Sequence, residues 1–507
     1  MNSSRTKNVS KNAIIGLVVQ LIRIIIEFVI RTIFIKSLGS EYLGINGLFT
    51  NVLTILSFAE LGIGNAIVFS MYKEIANDNI DKIKSLMNLY KNAYLAVGFI
   101  ILITGLMITP FITFFINDKP NISDNIYFIY LLFLSNTVVS YFFAYKKAII
   151  SAYQKEYIIS VCKLISEIVK AIFQIFILLI LKNFILYLII QILCTVIDNL
   201  LATYKANKMF PFLNEKDYKK IEQVEKCNIF KNVKSLIVYK FGSIILNGTD
   251  NIIISKMLNL TTVGIVSNFN LILTTITTLV SSILNGFIAS IGNLNANGST
   301  LKQENIMKSM LFLSTWIYGF CMISFIILSN DFITIWLGKQ FMLPFLAVIA
   351  MGIQLYVNGT QFAGYSYRTT MGLFNRGKWC PAIAAVINII LSVAFCYKLG
   401  VAGIIFATSF SRLTTTTWYD IYMVYKIKFK KSPLVFYLQY IKYFLTIIIV
   451  GFITFYFSNL IEVISFGYFL LKMSICIIVP NLLFILIFFK TKEFKDIFSR
   501  IKSLSIK

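Results

Sequence analysis

Two segments of the sequence place several charged residues on one face of an otherwise apolar helix. The first, QLIRIIIEFVIRTIFI, carries Arg23, Glu27 and Arg31, each four residues after the last. Four residues advance an α-helix by about 40° beyond a full turn, so these charges share about 80° of its circumference. Guanidinium groups bind phosphate well. Two of them beside one carboxylate therefore suggest binding of an anion, with one positive charge left for it.

The second segment, SVCKLISEIVKAIF, repeats this arrangement. It places Lys163, Glu167 and Lys170 within about 60° on one face of a helix. Further charges lie inside apolar stretches: Glu60, Asp198, Lys240, Asp250, Arg412 and, at helix ends from which a lysine reaches water, Lys442 and Lys472. Together the two segments and this set hold eight basic and five acidic residues.

Two interpretations of these charges stay open. A charge at the centre of a membrane costs about 2.5–3.5 kcal/mol on insertion scales, so it should face protein or water rather than lipid. Each charged face forms a stripe along its helix. The carboxylates of these two stripes, Glu27 and Glu167, each lie one turn from a cation, which suits ion pairs that hold helices together. The surplus of cations favours instead a water-filled cavity that binds an anionic substrate. The predicted substrate-binding residues are Arg23, Arg31, Lys163, Lys170, Lys240 and Arg412, and the candidates for coupling to a proton or sodium gradient are Glu27, Glu60 and Asp250.

The elements that must position these residues are membrane-spanning helices. The mean hydropathy is +0.79, with 58% hydrophobic and only 14% charged residues, which is not the composition of a water-soluble domain. We predict an all-α polytopic membrane protein, because apolar stretches near the ~20 residues that cross hydrocarbon recur along the chain. The fourteen predicted spans lie near 13–35, 42–71, 92–116, 126–145, 157–181, 183–204, 233–255, 262–289, 306–329, 341–366, 379–397, 401–424, 434–458 and 465–489. The weakest boundaries are the short hinge at Lys182 and the tenth span, which Pro344 enters.

The distribution of Lys and Arg orients these spans. With the amino terminus inside, the predicted inner segments hold 33 basic residues, the outer loops 6 and the spans 8. Cytoplasmic loops retain cations, so we predict that both termini are cytoplasmic. The net charge of +25 is then mainly a signature of topology. No loop is long enough to form a folded basic surface, so we expect no nucleic-acid partner.

The sequence contains no histidine. This excludes Ser-His-Asp and Cys-His nucleophilic sites, the H-E-x-x-H zinc motif and a histidine proton relay. The commonest catalytic sites are therefore missing. We expect a protein that is not an enzyme and uses no metal or other cofactor.

An internal repeat organises the spans. Residues 11–77 can be laid on residues 231–297 without a gap, with 18 identities in 67 positions, among them Gly44 with Gly264. Six spans separate the copies, and an even number keeps them in the same orientation. We predict a first six-helix lobe at 1–210, a cytoplasmic linker at 211–230, a second six-helix lobe at 231–425, and a terminal helix pair with a basic tail at 426–507.

Five segments of the sequence resemble a known family. They are FIKSLGSEYLGINGLFTNVLTILSFAELGIGNAIVFSMYKEIA, SAYQKEYI, GTDNIIIS, VGIVSNF and GLFNRGKW. They resemble the Wzx-type polysaccharide flippases of the multidrug/oligosaccharidyl-lipid/polysaccharide exporter superfamily, and the first of them is the most specific.

The resemblance implies a function in the bacterial inner membrane. The chain would move an undecaprenyl-pyrophosphate-linked oligosaccharide from the inner to the outer leaflet, as in O-antigen, lipopolysaccharide or capsule synthesis. The implied mechanism is alternating access of a cationic cavity between two lobes. The partners would be this lipid-linked oligosaccharide, membrane lipids, and a polysaccharide polymerase with its chain-length machinery. The resemblance assigns no individual binding residue.

Two other classes of function compete with a flippase. A multidrug antiporter of the same superfamily usually carries cations, for which a net-negative cavity would be expected. A membrane glycosyltransferase would need an inner catalytic domain or a D-x-D metal site, and a polymerase usually has a long outer loop. The sequence contains no inner catalytic domain, no D-x-D site and no long outer loop.

The predicted topology can be tested with reporter fusions. We expect fusions at Lys119 and Lys339 to report the outside and fusions at Lys216 and Lys430 to report the inside, because basic residues are concentrated in the predicted inner segments. Paired alkaline phosphatase and green fluorescent protein fusions would measure this. An inside signal at either outer position would overturn the arrangement of fourteen spans.

Overall fold

The computed structural model describes residues 2–60, 63–117, 120–215, 223–297, 300–371, 377–463 and 465–505. Every regular element within these ranges is a helix, and the chain forms two compact units, 1–264 and 265–507. Two of the fusion positions, Lys119 and Lys216, and residues 216–222 of the predicted linker lie outside the described residues. The predicted lobe boundaries stay a prediction.

The first unit holds nine helices and the beginning of a tenth. They are α1 (Asn2–Leu38), α2 (Ser40–Leu56), α3 (Ile63–Ala76), α4 (Ile80–Ile108), α5 (Ile126–Ala144), α6 (Lys147–Ala152), α7 (Glu156–Phe176), α8 (Phe184–Met209), α9 (Gln223–Met257) and α10 (Leu260–Asn297). Short 3-10 turns occupy Ser57–Glu60, Thr109–Phe115 and Pro211–Asn214, and a π-helical turn, Ile177–Leu181, ends α7.

The second unit continues from α10. Its helices are α11 (Thr300–Trp336), α12 (Phe345–Thr360), α13 (Phe362–Thr370), α14 (Cys380–Leu399), α15 (Val401–Arg412), α16 (Trp418–Val424), α17 (Leu434–Asn459), α18 (Phe466–Phe488) and α19 (Lys492–Ser505). A 3-10 turn occupies Lys339–Phe341, and π-helical turns occupy Leu413–Thr417 and Tyr425–Phe429.

These helices confirm the prediction of an all-α polytopic membrane protein. Within the described residues, nine helical segments are long and apolar enough to cross a membrane. Large apolar side chains cover their outer surfaces, such as Phe452, 72% exposed, and Ile390, 63% exposed. A hydrocarbon solvent explains this, because only water penalises exposed apolar surface.

Local sequence explains where the predicted spans break. The second span is two helices, α2 and α3, separated by the 3-10 turn that ends at Glu60. The hinge at Lys182 has a left-handed backbone with φ of 47° and separates α7 from α8. Pro344 caps the start of α12, which suits a residue without an N–H group.

A reciprocal contact joins the two halves of the sequence repeat. In the first unit α2 crosses the start of α10, and both helices approach through glycine. A Cβ atom on Gly44 would lie 2.0 Å from the carbonyl oxygen of Leu260, and one on Gly264 would lie 2.2 Å from the carbonyl oxygen of Ser40. Both pairs are equivalent in the 220-residue repeat, so the repeat supplies both sides of its own close contact.

We expect Gly44→Ala and Gly264→Ala to destabilise the protein by about 1–3 kcal/mol, because the added methyl group must push two backbones apart. Gly16→Ala is the matched control, since nothing lies within 4 Å of a Cβ atom at Gly16 in α1. Thermal unfolding of the purified protein in detergent measures the difference. Equal unfolding temperatures for the three variants would show that the crossing is not close.

Candidate functional site

The two predicted charged stripes face each other in the first unit. α1 packs along α7, and Arg23 Nε lies 2.6 Å from Glu167 Oε2. Arg23 Nη1 also donates a hydrogen bond to Gln20 Oε1 at 3.5 Å. The side chains of the ion pair are 26% and 17% exposed, so the pair is partly shielded from solvent. The helical period puts each stripe on one face, and the packing of α1 on α7 brings the two faces together.

Glu27 does not share in this pair. It is exposed on α1, whereas Arg31, one turn further along, is half-buried and lies within electrostatic range of Glu27 and of Tyr187 on α8. The ion-pair interpretation therefore holds for Glu167, whose cation comes from another helix rather than from its own stripe.

Lysines enlarge the positive charge beside this pair. Lys163 is exposed on α7, within electrostatic range of Arg23 and Glu167, and has no ion-pair partner among the described residues. Lys170 is half-buried on the same helix and lies within electrostatic range of Cys194 on α8. We call Arg23, Lys163, Glu167 and Lys170 the charged face. It carries three basic residues and one acidic residue.

Glu60 occupies a different environment, at the end of the 3-10 turn between α2 and α3. Tyr141 of α5 donates a hydrogen bond to its Oε2 at 2.7 Å, and Tyr94 of α4 donates one to its Oε1. Tyr90 stacks on Tyr94 with ring centroids 4.4 Å apart. The two phenols hold both carboxylate oxygens in a fixed orientation.

A polar cavity of about 690 Å³ opens beside Glu60. Helices α3 to α9 of the first unit line it. The charged residues in its wall are Glu60, Lys147, Glu156, Asp198 and Lys240, of which Lys147 Nζ and Asp198 Oδ2 form an ion pair at 2.6 Å. With three carboxylates and two lysines, the charges of the described wall sum to a slightly negative value rather than a positive one.

The cavity adjoins the charged face. Lys163 lies within electrostatic range of Lys147 and Asp198, both of which line the cavity. The first unit thus presents a positive surface next to a polar cavity that is close to neutral. Such an arrangement can bind a ligand that has an anionic part and a neutral polar part.

The structure brings only some of the predicted site residues together. The residues that belong to the charged face or to the cavity that adjoins it are Arg23, Lys163, Lys170, Lys240 and Glu60. Arg31 and Asp250, both half-buried, are not among the residues that line this cavity. Arg412 is half-buried at the end of α15 in the second unit, where the π-helical turn begins.

Two buried ion pairs of the second unit were missed or misread in the sequence. Arg368 Nη1 lies 2.5 Å from Asp420 Oδ1, and both side chains are almost fully buried. Asp420 lies inside the predicted twelfth span and should have been counted with the carboxylates. Lys472 Nζ lies 2.7 Å from Asp331 Oδ2, so its interpretation as a lysine that reaches water from a helix end is wrong. The Lys472–Asp331 pair reduces the surplus of membrane cations by one, whereas the Arg368–Asp420 pair adds one charge of each sign.

Solved structures of transporters share this fold. The lipid II flippase MurJ in an inward closed conformation has a TM-score of 0.65 and 18% identity, and covers 94% of this chain and 99% of its own. An inward-facing multidrug resistance MATE family transporter of the MOP superfamily has a TM-score of 0.62 and 13% identity, covering 83% and 99%. Vibrio cholerae MATE transporter VcmN in the bent form has a TM-score of 0.55 and 11% identity, and the match covers 84% of this chain and 97% of the transporter. At these identities the likeness is one of fold, and it agrees with about fourteen membrane helices.

The sequence itself assigns the family. A family model described as polysaccharide biosynthesis protein matches residues 9–288, more than half of the chain. The chain belongs to this family, and the resemblance to a polysaccharide family that was inferred from its sequence is confirmed. No curated protein matches the chain significantly.

The ion pair of the charged face can be measured with a double-mutant cycle. We expect Arg23→Gln and Glu167→Gln each to lower stability, and the double variant to lose less than the sum, with a coupling of about 1 kcal/mol because the pair is only partly shielded. Unfolding of the purified protein in detergent gives the four free energies. Strict additivity would mean that the two side chains do not interact.

Proposed function

We propose that this protein is a flippase for an anionic lipid-linked oligosaccharide. It moves an undecaprenyl-pyrophosphate-linked oligosaccharide from the inner to the outer leaflet of the bacterial cytoplasmic membrane by alternating access, and no bond is broken. Both termini are then cytoplasmic, and a polysaccharide polymerase with its chain-length machinery acts on the product.

The observation that carries this proposal is the charged face. Its three basic side chains outnumber its one carboxylate, and Lys163 is left without an ion-pair partner among the described residues. Uncompensated cations in a membrane segment are costly unless water or an anion accompanies them. A diphosphate would supply the missing negative charge, while its polyprenyl chain stays in lipid. Membership of the polysaccharide biosynthesis family supports the same substrate class.

The other predicted substrate-binding residues differ in how close they lie to the charged face and the cavity. Lys240 lies in the wall of the adjoining cavity, so it can contact the head group of the substrate directly. Arg31 continues the α1 stripe by two turns beyond Arg23. Arg412 belongs to the second unit and stays a predicted substrate residue.

Coupling to a proton or sodium gradient is part of the proposal, and Glu60 is its best-placed carboxylate. Glu60 lines a cavity and is oriented by two phenols, whereas Glu27 lies exposed on α1 and Asp250 lies outside the cavity wall. A carboxylate that exchanges a proton or a sodium ion needs both water access and fixed geometry, and Glu60 combines them.

One observation favours a second candidate, a multidrug antiporter. Three carboxylates against two lysines in the cavity wall suit a cationic compound. The MATE transporters share the fold. The two candidates make opposite demands on the charged face, because Lys163 attracts a diphosphate and repels a cationic drug.

Lys163→Gln separates the two candidates. We expect it to cause at least a tenfold accumulation of lipid-linked glycan on the inner leaflet, because one of the cations that neutralise the diphosphate is lost, while the amount of protein in the membrane stays normal. Lys163 forms no ion pair among the described residues, so its removal leaves no carboxylate unpaired. Arg23 variants lack this advantage because they also release Glu167.

The control is Lys398→Gln, an exposed lysine at the end of α14 in the second unit. It should export glycan normally. Export of ethidium from the same cells provides the competing readout. Normal glycan transport by Lys163→Gln, together with altered ethidium export, would replace the flippase with the antiporter.

A further inference from the structure

The cavity beside Glu60 contains polar groups that the described protein leaves unsatisfied. Asn199 lines the cavity on α8, its side chain is only 2% exposed, and its Nδ2 group has no hydrogen-bond partner among the described residues. The neighbouring Asp198 uses Oδ2 for Lys147, while its buried Oδ1 has no hydrogen-bond partner there. An unpaired buried amide is costly, so its presence points to a ligand that supplies the missing acceptor.

We propose that this cavity is the sugar subsite of the transporter. It binds a neutral, hydroxyl-rich saccharide, and it is separate from the charged face that binds the diphosphate. The inference rests on the proposed flippase function and divides recognition of one substrate between two adjacent sites.

The chemistry of the wall selects this ligand class. Asn199 Nδ2 must donate and Asp198 Oδ1 must accept, and a hydroxyl group can meet either demand, so neighbouring hydroxyls of one sugar ring satisfy both. A metal cation bound at Asn199 and Asp198 would leave the amide donor unpaired. A phosphate would be repelled by Glu60, Glu156 and Asp198.

Aromatic and hydroxyl side chains complete the wall. Tyr72, 44% exposed, offers a ring on which the apolar face of a sugar can rest, and Ser140 and Thr195 add small hydroxyl groups. The volume of about 690 Å³ lies within the range of roughly 300–1,000 Å³ that small-molecule sites occupy.

The position of the cavity fits the order of groups in the substrate. Lys163 of the charged face lies within electrostatic range of Asp198 and Lys147 in the cavity wall. A saccharide in the cavity would therefore have its diphosphate next to Arg23 and Lys163. The sugar adjacent to the phosphate is the one that this cavity would contact.

The decisive variant is Asn199→Leu, tested in the full-length protein in nanodiscs of zwitterionic lipid. Leucine resembles asparagine in shape and removes both polar atoms, so we expect it to leave folding unchanged or to raise the unfolding temperature. Two probes are titrated: the oligosaccharide released by mild acid from lipid-linked precursors of the cells that carry this protein, and undecaprenyl diphosphate without sugar. We expect Asn199→Leu to weaken oligosaccharide binding at least tenfold and to leave undecaprenyl diphosphate binding unchanged.

Two controls separate the subsite from the proposed function. Asn92→Ala, at an exposed asparagine of α4, should bind both probes normally. Lys163→Gln should weaken undecaprenyl diphosphate and spare the free oligosaccharide. If the wild-type protein binds the oligosaccharide but not undecaprenyl diphosphate, the flippase proposal is contradicted and the sugar subsite is not. Unchanged oligosaccharide binding in Asn199→Leu, or no oligosaccharide binding by the wild type, would overturn the sugar subsite.

Discussion

The constraint on which this structure depends is that a charge within a membrane must find a partner or water. α1 brings Arg23 into the apolar region, and α7 brings Glu167 to meet it at 2.6 Å. Removing either member would leave an ion without its partner beside apolar surface, so the pair favours the contact between these two helix faces. Lys163, one turn before Glu167, is carried to the same surface without a carboxylate of its own. The stabilising pair and the cation available to a ligand are thus consequences of one packing arrangement.

Helical periodicity was sufficient to predict the all-α membrane fold and the two charged stripes, because both depend on spacing within one segment. It could not predict that Arg23 would meet Glu167, since the spacing identifies a face and not the helix that covers it. The same limit hid the phenols around Glu60, which come from positions 34 and 81 residues further along the chain. Asp420 is a different case, because its position within a predicted span is enough to count it among the membrane carboxylates. Gly44 and Gly264, which the repeat aligned as equivalent positions, both lie at the crossing of α2 with the start of α10, and this contact was not predicted from the sequence.

Charge changes sign over a short distance in the first unit. The charged face holds three basic residues for one acidic residue, while the adjoining cavity holds more carboxylates than lysines. A single count over all membrane-embedded charges averages these two environments and suggests one uniformly cationic lumen. When the charges are counted separately for the charged face and for the cavity, they define two neighbouring sites, of which the first prefers anions and the second does not. A substrate whose head group is anionic at one end and neutral at the other suits both, whereas a small cation or a bare phosphate suits only one.

The fold by itself does not decide among these substrates. A lipid II flippase and multidrug transporters share it at 11–18% identity with this chain, so the packing of the helices tolerates very different cargo. Selectivity must then reside in a few side chains that the packing does not need. Lys163 and Asn199 meet this description, because the described protein gives neither the ammonium an ion-pair partner nor the amide Nδ2 a hydrogen bond. Polar groups left without such partners are available to bind a ligand.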